Sequence, residues 1–271
     1  MNTTSNRYSL LIEAIFVKHY KEGKAEVPFV REDLETMAAE LGIKLPKNLG
    51  DVVYSFRYRS KMPESINQSA PPGSEWVIRS VGQAKYVFSL STMPRIFPNV
   101  ILSETKILDA TPEVIERYAL NDEQGLLTKL RYNRLIDIFL GMVCYSLQNH
   151  LRTTVPEMGQ IETDEIYIGL DKQGVHYIIP VQAKSGKDQL GIVQIEQDVA
   201  LCRYKFPSLT CIPIAAQFME DNLIALFSFE YANEKISVMS EKHYRLVKSH
   251  ELSEEEMLGY KKRIDQCSQC H

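Results

Sequence analysis

Apolar positions in the N-terminal part of the chain recur at helical spacing. From Tyr8 to Lys21, residues Leu11, Ile12, Ile15 and Phe16 form one stripe, extended by Tyr8 and His19. From Arg31 to Leu41, residues Leu34, Met37, Ala38 and Leu41 do the same, and Gly42 marks the end. Pro46 introduces a third predicted helix over Asn48 to Arg59, with Asn48 as its N-cap. Trp76-Val77-Ile78 and Tyr86-Val87-Phe88 then read as two short strands around Gly82. A Pro-punctuated stretch (Pro94, Pro98, Pro112) follows, with one short helix from Pro112 to Leu120. The spacing next predicts a single long helix over Leu126 to Leu151, apolar on most sides around Leu130, Leu135, Ile138, Phe139, Met142, Val143 and Leu147, and so buried against a sheet.

Beyond that helix the period changes. Ile161 to Ile168 and Tyr177 to Lys184 read as strands joined by the turn Asp171-Lys172-Gln173-Gly174. A helix over Gly191 to Tyr204, strands at Thr210–Phe218 and Leu223–Phe229, and a helix from Ser253 to Ile264 complete the pattern. Ser253 and Glu256 have capping-box spacing. The expected fold class is α+β, with two domains. Residues 1–92 give three helices then a hairpin, the order of a winged helix-turn-helix. Residues 93–125 are read as a linker, and 126–271 as an α/β domain with a mixed central sheet.

The charge distribution sharpens this division. The chain of 271 residues carries a net charge of −4, yet residues 1–95 hold 13 Lys/Arg against 10 Asp/Glu, leaving 18 against 25 for the remainder. A basic first module beside an acidic second one fits a DNA reader joined to a metal-binding unit, although ordinary charge scatter gives the same count. In a winged fold the third helix enters the major groove and the wing touches the backbone. Here Tyr54, Arg57, Arg59 and Lys61 would supply the helix contacts and Arg79 and Lys85 those of the wing. A protein-binding winged fold is the alternative.

No apolar run approaches the about 18 residues that span a bilayer, and Met1 to Arg7 lacks the pattern of a signal peptide. Five widely spread Cys argue against a disulfide framework, so the expected compartment is the cytoplasm. Cys144, Cys202 and Cys211 fall on predicted core elements. Cys267-Ser268-Gln269-Cys270-His271 has the spacing of a haem attachment but is read as coincidence, with no export signal and no distal ligand. His150 and Arg152 either face DNA or cap the long helix, and His243 and Tyr244 lie either in a cleft or on a surface strand.

The candidate chemistry lies in the run from Gln160 to Gly186. Strand parity puts Glu162 and Asp164 on one face and Glu165 on the other, and puts Gln182 and Lys184 together. If the hairpin joins those faces, Asp164 and Gln182 offer oxygens to a hard cation such as Mg²⁺, with Glu162 as a further ligand and Lys184 free for a phosphate or a water. A buried Lys needs a charge partner, and Asp164 is the expected one. The following helix adds Gln194 and Asp198, four apart and on one face. The alternative is a structural Asp164–Lys184 cross-strand pair. No nucleophile elbow, phosphate loop or dinucleotide fingerprint is present.

From about Gly125 to Phe229 the chain resembles the PD-(D/E)xK nuclease superfamily, which includes most type II restriction enzymes and the resolvase and modified-DNA restriction families. In that resemblance the Asp falls on Asp164, the acidic position on Gln182 and the Lys on Lys184. Thr163 replaces the usual Pro, and Gln182 is a variant seen among modified-DNA enzymes. A further acid or amide often comes from the preceding helix, which makes Gln148 the candidate, with Glu165, Gln194 and Asp198 as accessory groups. The resemblance implies Mg²⁺-dependent hydrolysis of phosphodiester bonds in double-stranded DNA, a homodimer that cuts both strands, and a cognate DNA methyltransferase encoded nearby if the enzyme is a restriction enzyme. A non-catalytic DNA-binding regulator with a nuclease-like dimerisation domain is the alternative.

Overall fold

The computed structural model describes residues 3–268 apart from 121, 157, 187, 221, 233 and 234. Cys270 and His271 of the tail motif lie outside the described residues. The chain is α+β, with a large mixed central sheet and several helices.

The N-terminal part runs α1 (Thr3–His19), β1 (Glu26–Val30), α2 (Arg31–Glu40), α3 (Gly50–Tyr58), α4 (Glu64–Gln68), β2 (Glu75–Gly82) and β3 (Lys85–Ser91). Its strands pair antiparallel in the order β1-β3-β2. Leu11, Ile12, Ile15 and Phe16, the stripe expected from the spacing, are buried with Leu34, Val52, Val53, Phe56, Trp76 and Phe88 in one core. Strand β1 escaped the sequence pattern because it is only five residues long and contains Pro28. Its alternating burial, with Val27 and Phe29 inward, is what joins it to the sheet.

Residues 93–125 are not a linker. β4 (Arg95–Ile96) pairs with β9 (Leu190–Gly191), and β5 (Glu104–Leu108) adds a parallel edge to the large sheet beside β13 (Lys235–Val247). After α5 (Glu113–Glu116), the predicted long helix resolves into three elements: α6 (Glu123–Tyr132), α7 (Leu135–Leu140) and β6 (Val143–Val155). The helix breaks at Arg134, which adopts a left-handed φ of 50°, and stops at Gly141, with φ of 67°. β6 is the edge strand, so few of its side chains are buried and its apolar residues carry no clean two-residue period.

The large sheet runs β5-β13-β12-β11-β8-β7-β6, adding β7 (Gly159–Leu170), β8 (His176–Lys184), β11 (Ile214–Phe218) and β12 (Leu223–Ala232), with β10 (Thr210–Cys211) also pairing to β8. β8 and β11 are parallel and central; β7 and β6 extend the sheet antiparallel. Helices α6 and α7 cover one face through Leu126, Leu127, Leu130 and Leu135. Helix α8 (Ile192–Lys205) covers the other through Ile195, Leu201 and Cys202. Burial on both faces explains the continuous apolar run of β8. Helix α9 (Glu254–Ser268) begins with the expected capping box: Ser253 N–H donates to Glu256 Oε2 at 2.9 Å, and Glu256 N–H donates to Ser253 Oγ at 3.2 Å. No described helix is long and apolar enough to cross a membrane.

Candidate active site

The turn between β7 and β8 sets the register of the site. Asp171 Oδ1 accepts from the N–H groups of Gln173 and Val175, each at 2.9 Å, and Gly174 takes the left-handed φ of 81° that closes the turn. From there the two strands pair as far as Glu165 opposite Val181. Beyond that point they part, and a side chain fills the gap: Asp164 Oδ2 accepts from Ala183 N–H at 2.9 Å.

The residues at this fork converge. Gln182 Nε2 donates to the Glu162 carbonyl at 3.3 Å and to Asp198 Oδ1 at 3.1 Å, and Gln194 Nε2 donates to Gln182 Oε1 at 3.4 Å. Asp198 Oδ1 also accepts from Thr163 Oγ1 at 2.6 Å. Burial pushes the Asp198 carboxyl up to about 8 against the pull of these two donors, so it is neutral near pH 7. Burial raises Asp164 as well; Lys184 and the Ala183 N–H oppose the shift and Glu123 adds to it.

Lys184 Nζ lies 2.8 Å from Glu123 Oε1. Glu123, not Asp164, is therefore its direct partner, and Asp164 acts on it only through the field. Glu123 was not legible as a site residue, being 61 residues away in sequence. Two local features position it. Asp122 caps α6 by accepting from Gly125 N–H at 2.9 Å. Gly125 is required because a Cβ there would meet the Leu120 carbonyl oxygen at 1.7 Å.

These groups line a cleft of about 780 Å³ whose other wall is α3, through Tyr54, Arg57, Tyr58 and Arg59. Tyr58 OH donates to Gln197 Oε1 at 2.7 Å, across the boundary between the two parts of the chain. Arg79 grips Glu196 through two bonds of 2.7 Å. Arg59 lies 5.2 Å from the Tyr54 ring centre, and Arg57 4.9 Å from that of Tyr58. On the β6 side, Arg152 Nη2 is 3.0 Å from Glu162 Oε1 and His150 Nδ1 is 3.8 Å from it. Neither residue caps a helix.

Asp164, Gln182, Lys184, Glu162 and Gln194 thus share one cleft with Tyr54, Arg57 and Arg59, and Asp198 buttresses it from below. Gln148 does not join them: it is exposed on β6, because the helix expected to end there does not exist. Glu165 is fully buried on the other side of the sheet, hydrogen-bonded to Ser146 and 3.2 Å from Arg131, so it is no accessory group of this cleft. Arg79 is committed to Glu196 rather than free for a DNA backbone. Lys61 borders a smaller cavity of about 170 Å³, and Lys85, exposed at the start of β3, lines neither. His243 and Tyr244 are buried in the sheet, not in a cleft.

Among the described residues no three His, Cys, Asp or Glu side chains converge as a cation cage. The donors present are the half-buried carboxylate of Asp164, the buried amide oxygen of Gln182 and the half-exposed Glu162. Gln194 Oε1 and Asp198 Oδ2 are buried beside them with no hydrogen-bond partner among the described residues. Such a set suits Mg²⁺, which keeps several waters and takes only one or two protein carboxylates, and does not suit a metal that needs a full protein shell. The chain matches no family model, no curated protein and no solved structure.

Proposed function

We propose that this chain is a Mg²⁺-dependent endonuclease that hydrolyses phosphodiester bonds of double-stranded DNA in the cytoplasm, as a type II restriction enzyme of the PD-(D/E)xK kind. The observation that carries the reading is the fork of β7 and β8, where Asp164, Gln182 and the Glu123-paired Lys184 meet in one open cleft. The order α1-β1-α2-α3-α4-β2-β3 with a three-stranded sheet supports a winged helix as the DNA-binding part, α4 being a short added turn. A homodimer would supply one such cleft per strand, and a methyltransferase encoded nearby would protect the host's own sites.

In this reading Asp164 and Gln182 would hold the metal, with Glu162 of the same cleft as a further candidate ligand. The chemistry such an ion would supply when bound is positive charge, which would acidify a water and offset charge growing on the phosphate. Lys184 donates to a phosphate oxygen or to the attacking water, and Glu123 holds its ammonium in place. Neutral Asp198 accepts from the Gln182 amide N–H, which fixes the direction of the Gln182 carbonyl without adding negative charge. The direct test is incubation of purified protein with plasmid and phage DNA in Mg²⁺ and in EDTA, beside an Asp164→Ala control. Discrete metal-dependent fragments, absent with the variant, are expected. A gel shift with no cleavage of methylated or unmethylated DNA would favour a DNA-binding regulator instead.

A further inference from the structure

We infer that Arg57 binds a backbone phosphate of the nucleic acid inside the cleavage cleft, so that the N-terminal part of the chain completes the active site rather than reading bases in a major groove; the inference rests on the nuclease reading for the identity of the strand that lies there. A recognition helix must present its outer face to a groove about 12 Å wide. On α3 that face carries Tyr54, Arg57 and Tyr58, and it is the wall of the cleft opposite Asp164 and Lys184. The end of the helix is tied down, since Tyr58 OH is bonded to Gln197 at 2.7 Å and Arg79 of β2 grips Glu196, both on α8. Burial raises the Tyr58 hydroxyl above its ordinary range, so it remains a donor to Gln197.

Arg57 itself is the unusual group. Its Nε and Nη2 are buried without a hydrogen-bond partner among the described residues, although its guanidinium lines a cleft rich in carboxylates. Its guanidinium carbon lies over the Tyr58 ring, 4.9 Å from the ring centre. A planar fork whose donors are desolvated and unfilled is matched by two oxygens of one phosphate. The same helix α8 that anchors Tyr58 through Gln197 also carries Asp198, which orients Gln182. Arg57 and the metal-binding pair are therefore registered to one element, as residues acting on a single strand need to be.

The experiment is equilibrium binding of short labelled duplexes of several unrelated sequences to the full chain without metal, comparing wild type, Arg57→Gln and Arg57→Lys. A phosphate contact predicts that Arg57→Gln weakens binding to every sequence by about tenfold and lowers the salt slope by about one, with Arg57→Lys in between. Unchanged affinity, or a loss confined to one sequence as a base contact would give, overturns the inference. Thermal unfolding of both variants close to wild type certifies the fold. Metal-dependent cleavage by the wild-type protein separates the two ideas: if none occurs while the uniform Arg57 loss persists, only the nuclease reading fails.

Discussion

Replacing Asp198 by Asn should remove a pH dependence of stability that the buried carboxyl imposes. Folding holds the Asp198 carboxyl at about 8 against its ordinary 3.8. Between these values the folded chain keeps a proton that the unfolded chain has released. Stability from this group is therefore present in acid and is lost as pH rises towards 8. At about 1.4 kcal/mol per pH unit, the whole loss is roughly 6 kcal/mol, of which about 2 kcal/mol falls between about pH 6 and about pH 8. Asn preserves the oxygen that accepts from Thr163 and Gln182. Its new N–H₂ occupies the position of Oδ2, where the neutral carboxyl already carries an O–H with no partner among the described residues, so below about pH 8 the exchange costs little. The substitution thus flattens the slope of the curve. Urea denaturation of both proteins across this range reads the difference directly. Equal slopes would show that Asp198 is ionised in the folded chain and that Gln182 is held by a charged carboxylate rather than a neutral one.

Three further outcomes follow from the same contacts. Glu123→Ala should cost about 1–2 kcal/mol by urea denaturation and slow cleavage at least about tenfold; the stability cost stays below that of a fully buried pair because Glu123 retains 34% of its side-chain exposure. Gly125→Ala should cost more than about 2 kcal/mol, since the Leu120 carbonyl at 1.7 Å is backbone and cannot give way by a rotamer change; a variant with wild-type melting behaviour would contradict the turn geometry. Arg79→Ala should cost about 1 kcal/mol of stability yet change DNA affinity by less than about threefold, because its guanidinium is engaged with Glu196; a large loss in filter binding would restore it as a wing contact.

Much of the site was readable from local pattern. Parity along Glu162-Thr163-Asp164 and along Gln182-Ala183-Lys184 suffices to bring those groups to one cleft, because the hairpin between them is short and its turn is marked by Asp171 and Gly174. What parity cannot show is partnership between distant segments. Lys184 was expected to pair with Asp164, its neighbour across the hairpin, whereas the acid that reaches it comes from the start of α6. The failure of the long helix has a local cause: Arg134 in a left-handed conformation and the edge position of β6 leave no periodic signature, although Val143, Tyr145, Thr153, Thr154 and Val155 are strand-forming types. Gln148 was lost as a candidate with that helix. The packing of α3 and β2 on α8 was invisible for the same reason as Glu123, since it depends on Tyr58–Gln197 and Arg79–Glu196 contacts over a separation of more than a hundred residues.

If the Asp164, Gln182 and Lys184 cluster performs chemistry rather than holding a sheet together, cutting depends on Lys184. Single-turnover cleavage of a duplex substrate by Lys184→Ala, measured with its DNA affinity in the absence of metal, tests it most directly. Cleavage is expected to fall by at least about a hundredfold with affinity largely kept. Normal cutting by the Lys184→Ala protein would contradict it.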